Sequence, residues 1–375
     1  MADVGHLPAL LSMQASAACL RMLIGHEIFQ KRRSTSAKLS AFNLVRNGQM
    51  RRREILTLIS GSALAWPLAA TAQQKAMPVI GYLSSQSAEA LAPILPAFRD
   101  GLKEAGYIEG RNFSFEFAWA AGQYDKLPAL AEDLVRRRVS VIVASGGAIA
   151  ALAAKAATST IPIVFAIGDD PVQYGLVGSF KHPGGNITGI TLFMATLTPK
   201  RLEFLSEVAP AATLAILINP RNPNAESEAK NAQAAAQQIG RELRMLTASN
   251  EGEIDAAYAS IAQQPGAAVM TATDPYLFVR RDQLVGLAAR YALPSVYFHR
   301  AFATAGGLIS YGATVTAENR IAGQYTGRIL AGEKPGDLPI LQPSKIELIV
   351  NLTTAKSLGL TVPPSILARA DEVIE

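Results

Sequence analysis

"PVIGYLSSQSAEALAPILPAFRDGLKEAGY", residues 78 to 107, changes its hydrophobic period once, and that change decides the fold. Pro78 to Ser84 is a short unbroken apolar run, which reads as a buried strand ending in serine. From Ala92 to Tyr107 the apolar residues return at helical spacing and stop at Gly106. A buried strand followed by an amphipathic helix is the first half of a βαβ unit.

Outward from this stretch the same alternation continues. "NFSFEFAWA" has period two, "YDKLPALAEDLVRRR" is helical, and "VSVIVASGG" and "IPIVFAIGDDP" are strands. After "GNITGIT" the rhythm restarts: "LAILINP" (214 to 220) is a strand, "NAESEAKNAQAAAQQIG" a helix ending at Gly240, and "RELRMLTAS" and "GAAVMTATDP" are strands. "YLFVRRDQLVGLAARYAL" reads as one helix, followed by strands "PSVYFHR" and "GGLISYG". Alternating strands and helices mean parallel sheets covered on both faces. Two series in succession predict an α/β protein of two doubly wound parallel-sheet lobes joined by a hinge that the chain crosses several times.

Ahead of the lobes, "MRRREILTLISGSALAWPLAATAQQ" (50 to 74) has the parts of an export leader: Arg51 to Arg53, an apolar core too short to span a bilayer, and the small-residue site Ala70-Thr71-Ala72. Cleavage near Ala72/Gln73 and a periplasmic, soluble product without stable membrane insertion are expected. The Arg52-Arg53 pair fits a twin-arginine route as well as the general one. Residues 1 to 49 read as an untranslated or disordered extension. The whole chain carries +5, but residues 1 to 72 hold nine basic and three acidic side chains, net +6, leaving −1 on residues 73 to 375. The basic balance therefore belongs to the leader region, and no nucleic-acid partner is expected. Cys19, the only cysteine, also lies upstream, so the mature chain has neither thiol nor lipid-bearing cysteine.

In doubly wound sheets a ligand lies beyond the carboxyl ends of the strands. That rule selects Ser84 and Ser85, Ser145-Gly146-Gly147, Asp169-Asp170, and Thr191 in the first series, and Asn219, Asp274, and Tyr297 to Arg300 in the second. Bare amides at Gly146-Gly147 either bind an anion at a helix start or make a tight turn. Ser84 and Ser85 either touch a ligand or cap the following helix. Adjacent strand residues point opposite ways, so at most one of Asp169 and Asp170 faces the cleft, and the other caps the turn before Pro171. Asp274 either receives an ammonium group or caps a helix. Tyr297, Phe298 and Tyr311 either stack on an aromatic ligand or belong to the core. These groups suit a small zwitterion or carboxylate with an apolar or aromatic body. His182 and His299, the only histidines after the leader, are not spaced as metal ligands, so no metal and no cofactor are expected.

The succession "VIGYLSS", "FRDGLKEAGYIEGRNFSFEFAWAAGQYDKLPALAEDLV", "VIVASGG", "IPIVFAIGDDPVQYGLVGSFKHPGGNITGIT" and "LAILINPRNPNAE" resembles the ABC-transporter substrate-binding proteins related to bacterial tryptophan and tyrosine binders. The likeness covers nearly all of residues 77 to 370 and is most specific in the run from Asp170 to Gly189. It implies a type I periplasmic-binding-protein-like clamp, a monomer that closes on a small solute and delivers it to an ABC permease with a separate ATPase. A receptor for a membrane sensor and a two-lobed carboxylate-based enzyme are the alternatives. No G-x-S-x-G, G-x-x-x-x-G-K-[ST] or H-E-x-x-H motif is present, so a non-enzyme is expected. The expected lobes are residues 77–191 plus about 308–335, and 192–307 plus about 340–375, with hinge segments near Ile190 to Leu192, Ala305 to Tyr311, and Leu338 to Pro343.

Overall fold

A computed structural model describes residues 77–342 and 345–375. The leader, the extension before it and the Pro343 end of the third hinge segment lie outside the described residues.

The first sheet has the order β2-β1-β3-β4-β5 and is parallel throughout, from β1 (Val79–Ser84), β2 (Ser114–Trp119), β3 (Val141–Ser145), β4 (Ile163–Ile167) and β5 (Ile187–Thr191). The second has the order β12-β11-β10-β9-β8-β6-β7, from β6 (Leu214–Ile218), β7 (Leu243–Thr247), β8 (Ala268–Thr271), β9 (Ser295–Tyr297), β10 (Ile309–Ala313), β11 (Ile346–Asn351) and β12 (Glu372–Ile374). Central strands such as β3 and β6 are buried along their whole length, as sheets covered on both faces require.

Each helix begins and ends for local reasons. In α1 (Leu95–Glu104), Pro96 sits in the first turn, where its missing N–H is no loss, and Gly106 at φ +86° follows the last turn. The helix α2 (Leu127–Arg136) also has proline in its first turn. The Ala-rich α3 (Ala148–Ala157) buries Ala151 and Ala154 against the sheet. The segment expected as one helix divides at Arg280 (φ −92°, ψ 14°) into α4 (Pro275–Val279) and α5 (Arg281–Arg290), because Pro275 starts a short turn that its Asp274 cap holds in place.

One crossing differs from the expectation. Strand β10 pairs with β9 and β11, so residues 309–313 belong to the second sheet, not to the first lobe, and the chain leaves only after Ala313. It then forms α6 (Thr316–Leu330), which packs on α1 in the first lobe. That contact is backbone to backbone: a Cβ on Gly101 would lie 1.8 Å from the Arg320 carbonyl oxygen, and one on Gly323 2.1 Å from that of Phe98. The return passes through a bridge between Ile190 and Leu341. Because β10 leaves toward the hinge and β11 enters from it, these two strands run antiparallel, the exception in an otherwise parallel sheet.

Candidate functional site

The carboxyl ends of the strands of both sheets face a cavity of about 540 Å³. Ser145, Gly146, Gly147 and Asp169 line it from the first lobe, and Thr273 and Asp274 from the second. Gly146 and Gly147 have φ of +79° and +90°, and a Cβ at Gly146 would meet Ser85 Oγ at 2.5 Å, so the turn into α3 requires glycine there.

Several expected contacts serve the walls instead. Ser85 is fully buried and its hydroxyl donates to the Gly146 carbonyl, while Ser84 Oγ accepts from Gln86 N at 3.1 Å. Capping of the next turn falls to Ser87. Thr191 Oγ1 donates to the Asp169 carbonyl at 2.5 Å, and Asn219 Nδ2 donates to the Asp274 carboxylate at 3.2 Å. None of these four side chains lines the cavity. Tyr297 stacks on Phe302 at 4.5 Å inside the core, and the partly buried Tyr311 packs edge-on to Phe204 at 5.1 Å against it. The aromatic lining comes from Phe278 and Phe298. Tyr297 and Phe298 are neighbours on a strand end, and parity sends them opposite ways.

The two acids at the strand ends connect the lobes. Asp169 accepts from Asn224 Nδ2 of the second lobe at 2.8 Å and from the Ala148 N–H, whereas Asp170 caps the following turn through Val172 N at 2.8 Å. Asp274 accepts from Leu277 N at 2.7 Å, Asn222 Nδ2 at 2.8 Å, Asn219 Nδ2, and the Tyr124 hydroxyl of the first lobe at 2.8 Å. Tyr124 also accepts from Tyr276 N at 3.0 Å, and Arg221 pairs with Asp125 across the same gap. Asn222 and Asn224 come from the Asn-Pro-rich loop after β6, whose composition marks a turn and gives no hint of its partners.

Burial pushes Asp169 up to about 6, opposed by its donors and assisted by the nearby Asp274 charge. Asp274 is likewise raised by burial. Behind Thr273 the fully buried Glu228 is pushed up to about 7 by burial, against the pull of Arg201. In contrast, burial and the charges of Arg300 and Arg281 push His299 down to about 4, so its ring is neutral.

The raised acids set a pH dependence. Unfolded, these carboxyls ionise near 3.8 and 4.5; folded, they hold their protons up to about 6 and about 7. In that window the native state binds more protons, so stability falls as pH rises through it. Exposed acids held low by ion pairs, such as Glu104, oppose this below the ordinary carboxylate range, and His299, held down at about 4, offsets part of it up to the ordinary imidazole value of 6.5. The melting temperature should therefore be higher at pH 5.5 than at pH 7.5, and Asp169→Asn should flatten part of the slope. A melting temperature that rises over the same interval would contradict this account.

Among the described residues no His, Cys, Asp and Glu group could hold a metal ion, and no helix is long and apolar enough to cross a membrane.

Comparison with known proteins agrees with this geometry. Over 264 residues the chain is 25% identical to a tyrosine-binding protein of Clostridioides difficile (strain R20291), covering 70% of this chain and 75% of that one. A conserved domain protein of Vibrio cholerae superposes with a TM-score of 0.72 at 26% identity, covering 79% of this chain and 99% of the other. The Streptococcus pneumonia ABC domain in complex with L-Trp has the same fold, with a TM-score of 0.71, 24% identity, and the same coverage. Residues 80–374 match the model of a family described as ABC transporter substrate binding protein, and the match runs from the first strand of one lobe to the last strand of the other. This chain belongs to that family, the ABC transporter substrate-binding proteins.

Proposed function

We propose that the protein is an exported, monomeric receptor that closes its two lobes on a small solute in the periplasm and delivers it to an ABC permease driven by a separate ATPase. The observation that carries this reading is the cavity between facing strand ends, closed over by hydrogen bonds from one lobe to the other. A solute shifts such a clamp toward closure only through contacts that the open form lacks. Ser145, the Gly146-Gly147 turn, Asp169, Asp274, Phe278 and Phe298 are the groups from both lobes that such a solute meets. The leader ahead of the lobes supplies the export step, with cleavage near Ala72. The tyrosine-binding relative and the tryptophan complex favour an amino acid or an aromatic or aliphatic carboxylate over a sugar or a metal.

A thermal-shift screen of the mature chain over amino acids, aromatic acids and short carboxylates, followed by small-angle scattering with the best solute, tests the reading. A concentration-dependent rise in melting temperature with a smaller radius of gyration is expected. Chemical conversion of the solute instead of its recovery unchanged would sink it.

A further inference from the structure

The charged groups around the cavity are unequal in how far the protein itself uses them. Both acids at the strand ends are engaged. Asp274 has three side chains and one backbone N–H donating to it, and Asp169 has Asn224 and the first amide of α3. The amide site at the start of α3, the natural place for a ligand anion, thus already faces a carboxylate of the protein. Burial raises both carboxyls above their ordinary range, which disfavours the charged forms that a cation would need.

The opposite holds at the second-lobe wall formed by the break between α4 and α5 and by the loop after β9. Arg281, His299 and Arg300 all line the cavity there. Arg300 is committed to Glu347 at 3.5 Å and Glu372 at 3.0 Å. Arg281 has only its chain neighbour Asp282, at 3.4 Å through Nε, as a carboxylate partner among the described residues. Asp282 is itself 77% exposed, so that pair is weak, while the Arg281 side chain is only 28% exposed. The Arg281 guanidinium lies 5.6 Å from the centroid of Phe278, and the His299 ring meets the same phenyl group edge-on at 4.8 Å. Because His299 Nδ1 accepts from Ala301 N at 3.1 Å, its neutral ring carries the proton on Nε2, as a donor. Leu91 and Ile94 of the first lobe and Met194 and Phe298 complete an apolar surround.

We propose that the solute is a monocarboxylate with an apolar or aromatic body, held by its carboxylate at Arg281 with His299 beside it, and that an amino group on the solute adds nothing to its binding. This inference rests on the receptor reading above and names the solute class that the same cavity takes. A planar guanidinium offers a carboxylate two parallel N–H donors, and one uncommitted cation matches one negative charge. A phosphomonoester would bring a second charge without a partner.

Calorimetry on the mature chain decides the matter, with 3-phenylpropanoate, a branched 2-oxo acid, L-phenylalanine, phenyl phosphate, phenethylamine and xylose as probes. At least one carboxylate should bind, and L-phenylalanine should bind no more tightly than 3-phenylpropanoate. Arg281→Gln should weaken the carboxylate by about 10- to 100-fold. Arg281→Lys should recover part of that, and the exposed Arg290→Gln on the same helix should change nothing. Unfolding of each variant without solute separates lost binding from lost structure. Equal affinity in wild type and Arg281→Gln would overturn the assignment. So would an amino acid that binds more than tenfold tighter than its deaminated counterpart, or binding confined to the phosphate, amine or sugar; in those cases the receptor reading stands. If no probe binds and no other small solute stabilises the protein, both fall together.

Discussion

Arg201→Ala should cost about 3 to 5 kcal/mol of stability, because it leaves the Glu228 carboxylate buried without its cation. Both side chains are essentially inaccessible. Arg201 Nη2 donates to Met194 O at 2.9 Å, Thr198 Oγ1 at 2.7 Å, Thr273 Oγ1 at 3.0 Å and Glu228 Oε1 at 3.3 Å. Glu228 also accepts from Thr198 Oγ1 at 2.6 Å and from Thr273 N at 3.0 Å. The pair thus holds the strand end that presents Thr273 and Asp274 to the cavity. Arg201 Nε and Nη1 have no partners among the described residues, so the native arrangement already carries a desolvation cost. For that reason the double change Arg201→Met with Glu228→Leu should recover most of the loss. Urea unfolding of the single and double variants measures both effects. A loss under about 1 kcal/mol for Arg201→Ala would mean that Glu228 takes up a proton, or that water reaches it, once its cation is gone.

Tyr124→Phe should weaken solute binding by about tenfold or more while leaving the melting temperature of the solute-free protein nearly unchanged. The phenol joins the first lobe to Asp274 and Tyr276 N of the second. Once the lobes part, water replaces it at both partners, so the cost of removing it falls on the closed form alone. Calorimetry with the solute found by screening, together with scattering, provides the measurement. Unchanged affinity would show that the hydrogen bond contributes no more than the water that replaces it.

These two residues also mark the limit of what the sequence discloses. Strands and helices are legible because period two, period 3.6 and glycine stops are local signals, and the strand-end rule then locates the cavity from order alone. Which side chain enters it depends on parity and on partners far along the chain. Phe298 faces the cavity and Tyr297 the core, although they are neighbours. Tyr124 and Asp274 meet across 150 residues. Arg201 sits in "TPKRLEFLSEV", where Lys200 and Glu203 make the surface of an ordinary solvated helix, and nothing local distinguishes the one arginine that turns inward. Arg281 was hidden likewise within a basic pair on an apparently continuous helix.

The glycine contact between α1 and α6 bears on the order of events during synthesis. All five strands of the first sheet are complete by Thr191, yet the helix that seals one of its faces begins only at Thr316. While the second lobe is being made, the apolar residues of α1 and of the sheet beneath it, Phe98, Leu102, Tyr82 and Val143 among them, lack the cover that Ala322, Tyr325 and Ile329 later provide. The nascent first lobe is therefore an unfinished body that waits for the end of its own chain, and a ribosome that stalls before residue 316 leaves it open on that side.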